Sequence, residues 1–123
     1  MADARDRPDG PDGTDPAALV ADYYRALDGH DYESLASILA PEFTQRRPDR
    51  TFEGRDAFVR FMREERPLTD TSHEVREVFA DAGGERALAR GRLLDGDGER
   101  LFGFADVFTL EGDALAALET YTR

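Results

Sequence analysis

The chain has 123 residues, with 27 acidic side chains against 16 basic ones, a formal net charge of -11 and no cysteine. That length suits one core rather than two, and the charge opposes nucleic-acid binding, which needs a basic stripe. The missing thiols exclude disulfides and sulfur-ligated metal, and two isolated histidines do not make a zinc site. No apolar run reaches the ~20 residues that span a bilayer, and the N-terminus lacks the basic-then-apolar order of a secretion signal. A soluble, cytoplasmic protein with no membrane or nucleic-acid partner is therefore expected.

Every basic residue is arginine, and lysine is absent. This composition resembles a halophilic proteome, where about 1 M salt shortens the Debye length to ~3 Å and makes dense carboxylates tolerable. A high-GC genome also exchanges lysine for arginine.

Residues 1–15 carry five aspartates and the tandem turns Pro8-Asp9-Gly10 and Pro11-Asp12-Gly13, with no large apolar residue after Met1. They read as a disordered acidic tail ahead of a domain spanning 16–123. Asp15-Pro16 then supplies a cap and a first-turn proline, and Val20, Tyr23, Tyr24 and Leu27 recur at helical spacing. Gly29-His30-Asp31 ends that helix, and Asp31 caps a second one running towards Pro41 with Tyr32, Leu35, Ala36 and Leu39 on one face. Gly54 opens a third, in which Ala57, Phe58, Phe61 and Met62 share a face and Pro67 closes the run. Between the second and third, Phe43 to Arg47 and Thr51 to Glu53 read as short strands.

After Pro67 the apolar period becomes two. Ser72 to Ala80, Glu85 to Leu94, Leu101 to Leu110 and Leu115 to Thr122 are strand-length runs separated by glycine-bearing turns. The order predicts an α+β fold, with three N-terminal helices packed on a curved antiparallel sheet.

Four pieces of sequence carry a family resemblance: Asp22-Tyr23-Tyr24-Arg25-Ala26-Leu27-Asp28, Leu39-Ala40-Pro41-Glu42-Phe43, Phe52-Glu53-Gly54-Arg55-Asp56-Ala57-Phe58 and Asp106-Val107-Phe108. Together they resemble the nuclear transport factor 2-like superfamily, and within it the SnoaL-like and ketosteroid isomerase group. The resemblance implies a cystatin-like cone with an internal pocket, often paired sheet to sheet as a homodimer. It implies no single reaction. The isomerase pattern places its oxyanion-binding tyrosine at Tyr23 and its protonated aspartate at Asp106. The aspartate base falls at Arg47, which cannot accept a proton, so the standard isomerase mechanism is disfavoured.

The residues carry their own argument beside that one. Asp106 shares strand parity with Phe102, Phe104 and Phe108, and an acid in an aromatic row needs a partner or a raised pKa. Its readings are a proton-transfer group or a structural salt bridge. Tyr23 and Tyr24 read as rings of the first helix's apolar face, Tyr24 more firmly in the core. Phe43, Gln45 and Arg47 share one face of the first strand, where Arg47 could pair with Asp106 or clamp an anion. His73 could transfer protons at neutral pH, or be a locally bonded strand-end residue, and His30 reads as part of a turn. Arg90 and Arg92 line the pocket mouth or face solvent.

The expected function is binding of a small apolar or weakly anionic molecule, with isomerase, cyclase or hydrolase chemistry as the extension. Asp106, Tyr23 and His73 are the catalytic candidates, and Arg47, Gln45, Phe43, Phe58, Met62, Phe104 and Phe108 the ligand-binding ones. No motif for a metal or cofactor occurs, so none is expected. The alternative is a noncatalytic homodimeric scaffold whose eight phenylalanines fill the pocket.

Overall fold

A computed structural model describes residues 15–66 and 68–123. The expected tail therefore lies outside the described residues except for Asp15, and so does Pro67. Helix α1, Pro16–Asp28, is capped by Asp15, whose Oδ1 accepts the Ala17 amide at 3.1 Å. It buries Leu19, Val20, Tyr23, Tyr24 and Leu27. The helix ends where the Gly29 amide donates to the Arg25 carbonyl, and His30 adopts the left-handed conformation at φ 58°. Asp31 caps α2, Tyr32–Ser37, by accepting the Ser34 amide at 3.2 Å.

Helix α2 stops earlier than its apolar spacing suggests. From Leu39 the chain is already strand β1, Leu39–Arg46, whose partner is the last strand of the chain. Pro41, with no amide proton, falls where the register between these strands is irregular. A turn closed by the Arg47 amide on the Arg50 carbonyl, 2.8 Å, leads into β2, Thr51–Glu53. Gly54, at φ 100°, makes the corner that glycine tolerates, and its amide donates to the Phe43 carbonyl at 2.8 Å. Helix α3, Arg55–Arg60, continues as one π turn, Phe61–Glu65.

The remaining strands are β3, Ser72–Ala80, β4, Arg86–Leu94, β5, Arg100–Glu111, and β6, Ala114–Thr122. With β1 and β2 they form one curved six-stranded sheet in the order β2-β1-β6-β5-β4-β3. The meander is antiparallel as expected, but β1 runs parallel to β6, so the sheet is mixed. The cause is connectivity: β1 comes out of α2 and enters the sheet beside a strand made much later.

Helix α1 packs on β3 and β4, and α3 on β1. Between helices and sheet lies a core in which Val20, Leu35, Phe43, Phe58, Phe108, Leu115 and Leu118 are wholly buried. Each such side chain contributes about 1.5–3 kcal/mol by leaving water. Arg90 and Arg92 lie on the opposite, outer face of the sheet, paired with Glu77 and Glu74. No helix among the described residues is long and apolar enough to cross a membrane.

Candidate functional site

Towards one end of the inner face the core opens into a cavity of about 380 Å³. Leu27, Phe61, Met62, Leu93 and Phe104 are among its apolar walls, and its polar members include Tyr23, Gln45, Arg47, Asp49, Arg66, His73, Asp106 and Thr120. Helix α1 supplies Tyr23 at the position where its ring meets Phe58 and Phe108. The π turn begins at Phe61, and its first two residues, Phe61 and Met62, are buried wall residues.

Asp106 is 4% exposed and accepts two short hydrogen bonds. The Tyr24 hydroxyl donates to Oδ2 at 2.6 Å, and the Thr120 hydroxyl to Oδ1 at 2.6 Å. Thr120 faces Asp106 directly across the β5–β6 ladder. Its one proton is given to the carboxylate, so its lone pair receives the Gln45 Nε2 proton at 2.9 Å. This orients the Gln45 amide, and its buried Oε1 has no partner.

Burial pushes the Asp106 carboxyl above the usual carboxylate range, and the bonds from Thr120 and Tyr24, with the nearby His73 and Arg47, only partly oppose it. Burial likewise raises the phenols of Tyr23 and Tyr24, with Asp106 adding to both. Arg47 and Arg66, both lining the cavity, act against the rise at Tyr23.

His73 is held from two sides by one residue. Asp28, the last residue of α1, accepts the His73 backbone amide at 2.8 Å through Oδ2 and meets ring Nδ1 at 2.7 Å through Oδ1. A carboxylate facing Nδ1 keeps the proton there and leaves Nε2 with the lone pair in the neutral ring. The ring packs against Tyr24 at 4.9 Å and Phe104 at 5.3 Å between centroids. The dyad can thus exchange a proton beside the Asp106 network.

Of the residues singled out from the sequence, Asp106, Tyr23, His73, Arg47, Gln45, Met62 and Phe104 line this cavity. Phe43, Phe58 and Phe108 do not: they are fully buried, with Phe43 and Phe58 packed edge to face at 5.0 Å. The suggested Arg47–Asp106 pair is also absent, because Arg47 Nε bonds Asp49 Oδ1 at 3.1 Å at the cavity rim. Asp49, although close to the expected position of a base, is exposed and shared between Arg47 and Arg50. The tyrosine bonded to Asp106 is Tyr24 rather than Tyr23, which makes no hydrogen bond to a described residue. His30, as expected, is a turn residue, with Nε2 2.7 Å from the Thr69 carbonyl.

Sequence reading did not single out Tyr24, Thr120, Asp28 or Arg66 for the site. Asp28 carried the clearest signal, as an acid closing the helix that bears both tyrosines. Among the described residues no cluster of three or more metal-ligating side chains occurs.

The family model of the SnoaL-like domain matches residues 20–118. The chain belongs to the SnoaL-like domain family. Solved structures share the fold of this SnoaL-like chain. One from Kribbella flavida, provisionally assigned as a ketosteroid isomerase, is 24% identical, with a TM-score of 0.77 over 88% of this chain and 77% of that one. A provisionally assigned polyketide cyclase from Sinorhizobium meliloti is 20% identical, with a TM-score of 0.73 over 88% of this chain and 100% of that one. An uncharacterised cystatin-fold protein from Novosphingobium aromaticivorans is 14% identical, with a TM-score of 0.74 over 89% of this chain and 99% of that one. At such identities the likeness establishes the α+β fold alone. No curated protein matches the sequence.

Proposed function

We propose that this SnoaL-like domain binds a small, largely apolar organic molecule and moves a proton on it, in an isomerisation, cyclisation or hydrolysis. The observation that carries the reading is Asp106, buried at the wall of an open cavity and bonded by Tyr24 and Thr120. A carboxyl whose pKa burial raises above the usual range can both accept and return a proton. His73, set by Asp28, is the second proton-transfer group, and Tyr23 offers its phenol to a substrate oxygen. Arg47 stands where the ketosteroid isomerase pattern has a base, which supports a reaction other than standard steroid isomerisation. The scaffold alternative gains little from the phenylalanines, since Phe43, Phe58 and Phe108 are buried outside the cavity and Phe61 and Phe104 form its wall without filling it.

Deuterium exchange beside the carbonyl of small bicyclic ketones, followed by NMR in D2O, tests the proton transfer without knowledge of the natural product. Wild type is expected to accelerate exchange on at least one such ketone, and Asp106→Asn to slow it by about 100-fold. Exchange no faster than in buffer across the panel, or unchanged in the variant, would remove the catalytic reading. Association of two copies through the outer sheet face, where Phe79 and Tyr121 are each 56% exposed, belongs to the same proposal. Sedimentation equilibrium with Phe79→Asp tests it.

A further inference from the structure

Among the described residues, two buried side-chain polar atoms have no hydrogen-bond partner, Gln45 Oε1 and Arg66 Nε. Both belong to residues that line the same cavity. Their needs are opposite, because the amide oxygen lacks a donor and the guanidinium nitrogen lacks an acceptor.

Neither need can be met by rearranging the neighbours. Turning the Gln45 amide over only exchanges which of its two polar atoms is unmet, because Thr120 Oγ1 can face one of them at a time. Arg66 has no carboxylate partner among the described residues, and its one bond, from Nη2 to the Tyr32 hydroxyl, is long at 3.5 Å. Close by, Arg47 spends Nε on Asp49, which leaves its two terminal nitrogens for another acceptor. A buried donor or acceptor left unmet costs more than a bond made to it returns, so a ligand that meets both is selected over one that meets neither.

From these two atoms we infer that the cavity takes an amphipathic organic acid: a carboxylate held by Arg66 and Arg47, an apolar body, and a hydroxyl that donates to Gln45. The inference rests on the reading of the cavity as a small-molecule site and names the class of molecule that enters it. The apolar body fits the walls of Leu27, Phe61, Met62 and Phe104. The hydroxyl would come to rest beside the Gln45–Thr120–Asp106 chain, so the end of the ligand opposite its acid is the end presented to Asp106. A net charge of -11 on the protein repels anions in general; the guanidiniums of Arg66 and, at the rim, of Arg47 are what admit one.

Isothermal titration with hydroxyphenyl alkanoic acids of increasing chain length supplies the test, each compared with its primary amide and with its deoxy analogue. In wild type the best acid should bind about ten times more tightly than its amide, and more tightly than the acid lacking the hydroxyl. Arg66→Gln should erase the preference for acid over amide, and Gln45→Met the preference for the hydroxyl. Equal binding of acid and amide to wild type would overturn the inference and leave the small-molecule reading intact. An acid preference that survives Arg66→Gln would overturn it as well. If neither acids, amides nor deoxy compounds bind, the cavity is not such a site, and both readings fall together.

Discussion

At the scale of single residues, Asp106 is the side chain on which stability and chemistry meet. Its pKa is higher in the folded chain than in the unfolded one, where a carboxyl titrates near ~3.9. The stabilisation it brings is therefore complete below the unfolded value and is lost as pH rises through the folded one. Asp106→Asn removes that loss and keeps groups able to face Tyr24 and Thr120. The melting temperature of the variant, relative to wild type, should rise as pH increases from about 4. A difference independent of pH in calorimetry would mean that burial does not perturb this carboxyl. Asp106 was legible in the sequence because an acid stands out in a row of phenylalanines on one strand face. Tyr24 was not, since adjacent tyrosines on a helix both fit an apolar face and spacing does not say which hydroxyl meets an acid. Arg66 and Asp28 were hidden for a related reason: charged residues at helix ends usually face water.

Secondary-structure elements were legible where their punctuation is local. Glycine turns set off the four strands of the meander, and Asp15 and Asp31 mark helix starts by capping them. What local signals could not give is register. Counting back from the turn, Glu111 pairs with Ala114 and Leu110 with Leu115, which would set Glu119 opposite Asp106. An irregularity between Thr109 and Leu110 shifts the ladder by one residue, so Thr120 arrives there instead and two carboxylates do not face each other. Strand β1 was misjudged at its start for a similar reason, as Leu35 and Leu39 continue a helical period that pairing with β6 overrides. A comparable constraint acts where β3 crosses β4. A Cβ added at Gly91 would lie 2.0 Å from the Glu74 carbonyl oxygen, so the strands could not keep this approach with any other residue. Gly91→Ala should cost about 1–3 kcal/mol in urea unfolding; an unchanged midpoint would show that the sheet yields there without strain.

Over the whole molecule, charge and connectivity govern behaviour that no one contact does. With 27 acidic residues against 16 basic ones, the native state repels itself, and screening should relieve that. Its melting temperature is expected to rise between dilute and molar potassium chloride, and a flat response would reject the halophile-like reading of the composition. Connectivity makes a separate demand. The meander β3 to β6 joins neighbours along the chain, whereas β1 must find a partner from Leu39 to Leu115 across the full domain. Loop closure favours the meander as the early structure and β1 as the late arrival. Phe43→Leu should consequently speed unfolding more than it slows refolding in stopped-flow experiments, and Phe108→Leu should do the reverse. Equal effects at the two positions would mean that β1 docks in the rate-limiting step. On the ribosome the same ordering has a plain result: β1 leaves the exit tunnel long before its parallel neighbour has been translated. The nascent helices and the β1–β2 hairpin wait with one edge of β1 unpaired, and the domain closes only once β6 has emerged.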